Sequence, residues 1–243
     1  MGTVRVVVYG PSTSRVCKVL WALREASLPI SVERDMRRPA ELRAEQSYLA
    51  LNPKGTVPTA VFSYGEDNGS ADLVLNESNT IVSYVAQRFA PALYPSTPES
   101  LALAWQWMEW GESSAAVPVS AIWFGLVRGG GYPPLPDAKL SIERDDSGTA
   151  MVVNGVPTRK LLEVWSVLEH ELQRGNGAFM QGGNLTIADI TVGVLAARVF
   201  ALPTDQLGFS PVETFPSAYK WYCRLLERDA YREMVLPCAG ATP

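Results

Sequence analysis

The sequence predicts an α/β unit followed by an all-helical unit, and three observations carry that prediction. Strand-like and helix-like segments alternate in the order βαβαββα up to about residue 89. Three prolines then interrupt all periodicity between residues 90 and 98, and helical spacing dominates beyond them. A chain of 243 residues holds one large domain or two modest ones, and the break assigns 1–90 to the first and 98–243 to the second.

Each element has its own warrant. Residues 4–9 are a β-branched run that stops at Gly10-Pro11, a first strand. From Ser14 onward Val16, Val19, Leu20, Leu23 and Ala26 recur at helical spacing. A second strand is predicted over 30–34, after Leu28-Pro29, and then a helix over 39–51 closed by Asn52-Pro53-Lys54-Gly55. Residues 58–62 and 72–75, separated by a polar turn at 65–70, read as a hairpin. Residues 77–89 set Ile81, Val85 and Phe89 on one helical stripe.

Past the break, a helix over 99–128 is expected to kink at Pro118, which lacks an N–H and crowds the preceding turn. Further helices are predicted over 158–174, 186–200 and 216–227. The second of these opens on Thr186-Ile187-Ala188-Asp189, which fits a capping box. Residues 129–155 depart from helix: a triple glycine and a proline-rich run precede two alternating segments, 139–144 and 149–153, around Asp145-Asp146-Ser147-Gly148. This segment reads as an inserted hairpin.

Composition narrows the function. With 47% hydrophobic and 19% charged residues the chain has material for a packed core. A net charge of −4 gives no sequence-wide positive field, so nucleic acid is not expected as a partner. The longest uncharged stretch, 113–127, contains Pro118 and falls short of the roughly 20 residues that span a bilayer. No membrane partner is expected, and the start lacks the apolar block of a secretion signal, which points to the cytoplasm. Cys17, Cys223 and Cys238 are too few and too far apart for a disulfide framework. The single histidine, His170, reads as a surface residue, and no metal site is expected.

Three local sequences fall at chain turns: Tyr9-Gly10-Pro11-Ser12-Thr13-Ser14-Arg15, Asn52-Pro53-Lys54-Gly55-Thr56-Val57-Pro58 and Glu77-Ser78-Asn79-Thr80-Ile81. In that order, with the Thr186–Asp189 box, they resemble the cytosolic glutathione transferases over nearly the whole chain. The resemblance implies a thioredoxin-like N-terminal domain, an all-α C-terminal domain, glutathione as co-substrate and a homodimer. Gln106-Trp107-Met108-Glu109-Trp110, Gly125-Leu126-Val127-Arg128 and Phe200-Ala201-Leu202-Pro203 make the sequence similar to a bacterial theta-like or beta-etherase-like group, from which the 129–155 segment departs.

The roles follow from the resemblance and from elementary chemistry. A helix N-terminus offers free N–H donors and partial positive charge to an anion. Ser78 would hydrogen-bond the γ-glutamyl carboxylate, and Glu77 would face the ammonium. The family implies a cis Val57–Pro58 bond, which offers the Val57 backbone to the peptide. Lys54 is the candidate for the glycine carboxylate. A thiol with an unperturbed pKa near 8.5 needs roughly 2.7 kcal/mol of differential stabilisation to fall by about two units. One hydroxyl donor and a helix N-terminus supply that order of energy.

In the frame of Lys18-Val19-Leu20-Trp21-Ala22-Leu23, Thr13 falls where serine-type members keep that hydroxyl. Ser14 and Ser12 are the alternatives on either side. Tyr9 precedes the turn by several residues. No cysteine lies between Gly10 and Val16, unlike members that exchange disulfides, and Cys17 reads as structural. Trp110, Ser114 and Trp123 are the candidates for the acceptor pocket. The predicted activity is attack of the glutathione thiolate on an electrophilic, largely apolar small molecule. The alternatives are a glutathione-dependent lyase, etherase or isomerase, or a non-catalytic glutathione-binding protein.

Overall fold

The computed structural model describes residues 3–64, 71–127, 142–144, 150–152, 156–175 and 178–240. Its sheet is built around β1 (Val4–Tyr9), whose Val6 and Val8 point alternately into the core. β1 runs parallel to β2 (Ile30–Asp35) and antiparallel to β3 (Thr59–Ser63), and β3 pairs antiparallel with β4 (Leu73–Asn76), giving the order β2-β1-β3-β4. β2 is an exposed edge strand carrying charge, including Glu33 paired to Arg5 at 2.6 Å, which discourages further strand pairing. α1 (Cys17–Arg24) connects the two parallel strands and packs on α4 (Ser78–Phe89).

The helix expected over 39–51 is two helices, α2 (Pro39–Arg43) and α3 (Gln46–Leu51), broken where Glu45 is extended at φ −107°, ψ 122°. On one straight helix Leu42 and Tyr48 would point about 120° apart, since successive residues rotate by about 100°. The break turns both inward, and both are buried. Arg37 holds the corner by pairing with Asp35 and with Glu45.

The helical unit begins with α5 (Pro98–Trp110), capped by Thr97, which accepts from the Ser100 backbone N–H at 3.2 Å. The kink expected at Pro118 shows itself one turn earlier. Residues Gly111–Ala115 form a widened π-type turn, with the Ala116 N–H reaching back to the Gly111 carbonyl, before α6 (Ala116–Leu126). A proline third in a helix leaves the carbonyl four residues back without its donor and crowds it, so the distortion falls upstream of the ring. β5 (Ile142–Arg144) and β6 (Ala150–Val152) pair antiparallel, and the backbone of β6 runs beside α6. The triple glycine, the proline-rich run, the turn at 145–148 and the turn at 65–70 lie outside the described residues.

α7 (Val156–Arg174) follows, then α8 (Ile187–Phe200), α9 (Thr204–Leu207), α10 (Pro211–Thr214), α11 (Pro216–Leu226), α12 (Asp229–Met234) and α13 (Leu236–Ala239). His170 is exposed on α7, but its neighbour Glu169 is buried and accepts from the Ser217 and Ala218 backbone N–H groups at the start of α11. The capping-box carboxylate of Asp189 is fully buried. It accepts from the backbone of Met180 and Thr186 and from Trp221 Nε1, each at 2.9 Å.

One core crosses both units. The Trp21 ring on α1 meets Tyr231 of α12 edge-on at 4.8 Å. It also passes so close to Gly193 of α8 that a Cβ there would lie 3.0 Å from the indole. Glu25 and Arg228 pair across the same seam. No helix among the described residues is long and apolar enough to cross a membrane.

Candidate functional site

The turns that follow β1, precede β3 and open α4 converge at one end of the sheet. Gly10 adopts φ +117°, a left-handed conformation that favours glycine, and a Cβ there would lie 2.7 Å from the Val57 Cβ. The first turn and the Val57 segment are therefore in direct contact. The Val57–Pro58 bond is cis. The segment before it is pinned by Asn52, whose buried amide donates to the Thr56 carbonyl at 2.8 Å and to Thr59 Oγ1 at 3.1 Å. Tyr48 Oη also donates to the Thr56 carbonyl and shares a 2.9 Å bond with Thr59 Oγ1. Tyr9 stacks at a tilt on Tyr48, and burial pushes its phenol pKa up.

Glu77 is the only described non-glycine residue with positive φ, at +65°, and Ser78, buried, is the first residue of α4. A bulky side chain in that backbone region is uncommon and marks functional turns. Lys54 Nζ reaches Glu77 Oε1 at 2.8 Å, so two of the expected binding residues pair with each other at the surface. Val57, Pro58, Glu77, Ser78 and Lys54 thus lie around one corner of the sheet.

A cavity of about 690 Å³ opens between the two units. Thr13 and Ser14 border it, and Ser12 is not among its described lining residues. Ser14 is extended and acts as a cap: its hydroxyl donates to the Pro11 carbonyl at 2.8 Å and accepts from the Val16 N–H at 3.3 Å. Thr13 Oγ1 has no hydrogen-bond partner among the described residues. It therefore borders the cavity uncommitted, just ahead of α1.

The expected pocket residues sit elsewhere. Trp123 is buried, with Nε1 donating to the Ala239 carbonyl at 3.0 Å. Trp110 packs edge-on against Trp107 and tilts toward Trp165, and Ser114 is exposed on the π turn. None of the three is among the described lining residues. The helical unit instead contributes Glu112, Ala116, Ser120 and Phe124, which recur every four residues along the π turn and α6, and one face of α8. A helix exposes i, i+4 rows, and the row of this segment that faces the cavity is 112, 116, 120 and 124, not the positions of Trp110, Ser114 and Trp123.

The wall contains an ionic cluster that the sequence reading did not single out. Lys18 is fully buried on α1; its ammonium donates to Asn79 Oδ1 at 2.7 Å and to Glu112 Oε1. Arg15 Nε donates to Glu112 Oε2 at 2.8 Å, and Thr191 Oγ1 donates to Asn79 Oδ1 at 3.1 Å. Burial pushes the Lys18 pKa down, opposed in part by Glu112. Burial pushes the Glu112 carboxyl up, but Lys18 and Arg15 outweigh it and hold it below its ordinary range. The signal available was a lysine inside a helix otherwise buried from Cys17 to Leu23. Cys17 also borders the cavity; the neighbouring Cys238 thiol, which donates to the Met234 carbonyl at 3.1 Å, pulls the Cys17 pKa down while its own is pushed up.

Comparison with known proteins matches both halves. Residues 15–88 match the family described as glutathione S-transferase, N-terminal domain, and residues 157–229 match glutathione S-transferase, C-terminal domain. The chain is similar to glutathione S-transferase GstB of Escherichia coli, 28% identical over 233 residues, covering 95% of this chain and 98% of that one. The glutathione S-transferase-like protein tpcF of Aspergillus fumigatus is 27% identical over 239 residues, covering 94% and 93%. Among solved structures, the theta class glutathione S-transferase of Xanthomonas axonopodis pv. citri with glutathione bound superposes with a TM-score of 0.71. It is 29% identical, covering 95% of this chain and 97% of that one.

Proposed function

Since the chain belongs to the glutathione S-transferase family, we propose that it activates the thiol of glutathione for attack on an electrophilic, largely apolar small molecule. The observation that carries the reading is Thr13, the one hydroxyl of the 12–14 run that both borders the cavity and lacks a partner among the described residues. In this reading Thr13 Oγ1 donates to the sulfur and holds it as thiolate. Stabilising the anion lowers its pKa, and the electrophile, held beside it, is attacked as in an intramolecular reaction. Ser78 and the first N–H groups of α4 receive the γ-glutamyl carboxylate, Glu77 its ammonium, and the Val57 backbone the cysteinyl amide. Lys54, now paired with Glu77, exchanges that partner for the glycine carboxylate. The Xanthomonas relative solved with glutathione bound supports the choice of thiol.

The test is the pKa of bound glutathione, read from thiolate absorbance. Thr13→Ala should raise it by about one to two pKa units and cut kcat/KM by about 10- to 100-fold, the worth of one hydrogen bond to a charged group. Thr13→Ser should restore both. An unchanged pKa in Thr13→Ala overturns the assignment, and the same measurement on Ser14→Ala and Ser12→Ala tests the alternatives. Stoichiometric consumption of glutathione distinguishes conjugation from isomerisation.

The proposal includes a cytoplasmic, two-fold homodimer. It is supported by Leu103 and Trp105, which stand on α5 on either side of its buried Ala104–Met108 stripe with 55% and 49% of their surface in solvent. Sedimentation showing only a 26.5 kDa species at micromolar concentration would refute it.

A further inference from the structure

Cys17 and Cys238 belong to opposite ends of the chain, yet the fold makes them neighbours. Cys17 is the first residue of α1 and follows directly on the Ser12–Val16 turn, and that turn packs against α13, which carries Cys238. Both thiols are free and buried, with 2% and 4% of their surface in solvent. They differ in access, because Cys17 borders the cavity and Cys238 is not among its described lining residues. A solute small enough to enter the cavity therefore meets Cys17 first. The third free thiol, Cys223, is half-buried on α11 beside Tyr219, and it too is not among the described lining residues.

The two thiols are chemically unequal. Cys238 pulls the Cys17 pKa down against the opposing effect of burial, and the Lys18 ammonium and backbone N–H add to the lowering. Cys17 in turn pushes the Cys238 pKa up, together with burial. A thiolate attacks a peroxide and a thiol does so poorly, which makes Cys17 the nucleophile and Cys238 the thiol held in reserve. Cys238 Sγ donates to the Met234 carbonyl at 3.1 Å, which holds that sulfur on the inner side of α13. Once Cys17 is oxidised its negative charge is gone, and with it the influence that keeps Cys238 protonated.

We infer that Cys17 and Cys238 form a reversible oxidation site, at which a small hydroperoxide entering the cavity oxidises Cys17 and the product closes into a Cys17–Cys238 disulfide. In the first step the Cys17 thiolate attacks a peroxide oxygen and becomes a sulfenic acid. The O–O bond breaks, and the departing hydroxide or alkoxide takes up the proton that Cys17 lost. In the second step the Cys238 sulfur attacks the sulfenic sulfur, the S–O bond breaks, and hydroxide leaves with the Cys238 proton as water. Two thiols are oxidised by two electrons in all, and one peroxide is reduced. Two molecules of a small thiol, or one dithiol, restore the reduced pair. The disulfide ties α13 to the start of α1, one helical turn past Thr13, and so alters the cavity wall. Transient disulfides that respond to oxidant are the kind a reducing compartment permits. The inference stands apart from the proposed transferase reading and uses none of its assigned residues.

The test treats the folded wild-type chain with hydrogen peroxide, quenches in acid, alkylates the remaining thiols on unfolding and maps the products by mass spectrometry. The expected result is a cross-linked peptide pair joining Cys17 to Cys238, lighter by two hydrogens, with one thiol titratable where three were before. Dithiothreitol should reverse it completely. In Cys238→Ser the Cys17 sulfenic acid has no thiol to resolve it and should be captured by dimedone. In Cys17→Ser, Cys238 should oxidise about tenfold more slowly than Cys17 does in the wild type. The wild-type map decides the question by itself, whatever the variants do. Cys17 and Cys238 both alkylated after peroxide has oxidised the more exposed Cys223, or Cys17 carried to sulfinic acid with no cross-link, overturns the inference. Neither result touches the transferase reading, which is judged by the pKa of bound glutathione.

Discussion

Glu112→Gln removes the carboxylate that, among the described residues, pairs with the Lys18 ammonium, and so tests how the two units are joined. Lys18 has a side chain only 2% exposed, whereas Glu112 is 27% exposed and also holds Arg15. Removing one member of a buried ion pair costs about 3–5 kcal/mol, because the other charge stays buried. Asn79 Oδ1 remains at 2.7 Å and the introduced glutamine keeps an acceptor oxygen, so the lower end, about 3 kcal/mol, applies here. At about 2–4 °C per kcal/mol for a chain of this size, the melting midpoint should fall by roughly 6–12 °C. Lys18→Met is the milder change, about 1 kcal/mol, because Glu112 retains Arg15 and access to water. The double variant should be more stable than Glu112→Gln alone.

The pH dependence gives a second signature. The folded Glu112 pKa lies below its ordinary 4.5, so its contribution is complete above that value and is lost as pH falls through the folded pKa. The folded Lys18 pKa lies below its ordinary 10.5, so stability rises with pH from the folded value up to 10.5. In Glu112→Gln the Lys18 pKa drops further, and the deficit should narrow as pH is raised and the amine becomes neutral. Thermal unfolding followed by tryptophan fluorescence at neutral and alkaline pH reads both effects. A Glu112→Gln protein as stable as Lys18→Met, or a deficit that stays constant with pH, refutes a charged Lys18 as the source.

Other outcomes follow from the same geometry. Gly10→Ala combines a left-handed φ with a Cβ 2.7 Å from Val57 Cβ, so it should cost about 1–3 kcal/mol and weaken glutathione binding, measurable by calorimetry. Asn52→Ala removes the amide that pins Thr56, and should raise KM for glutathione more than it lowers kcat in steady-state kinetics. Asp189→Ala strands buried donors on Met180, Thr186 and Trp221 at about 1–3 kcal/mol each, so chemical denaturation should show a loss larger than for any surface carboxylate.

The parts of the molecule legible in the sequence were those encoded locally. The β-branched run of β1, the stripe of Ile81, Val85 and Phe89, and the Thr186–Asp189 box each depend on neighbours within a few residues. The same holds for the positions of Thr13, at the turn ahead of α1, and Ser78, at the start of α4, which local turn residues mark. What stayed hidden depends on packing between distant segments. Tyr48 turns inward only because the Thr56 carbonyl awaits it, which breaks the helix at Glu45. Trp123 looked like a pocket residue by its size, yet the carbonyl of Ala239, 116 positions away, fixes it in the core. Lys18, Asn79 and Glu112 are ordinary residues singly and meet only when α1, α4 and the π turn are brought together.

The seam at Trp21, Gly193 and Tyr231 packs the α/β unit directly against the helical unit that walls the cavity. Substitutions along α6 and α8 would therefore reshape the cavity one side chain at a time while the corner formed by Gly10, Val57 and Ser78 stays put. Separating the halves by cutting the connection would bare an indole and a phenol at once, and the fragments would be expected to precipitate rather than survive as independent modules.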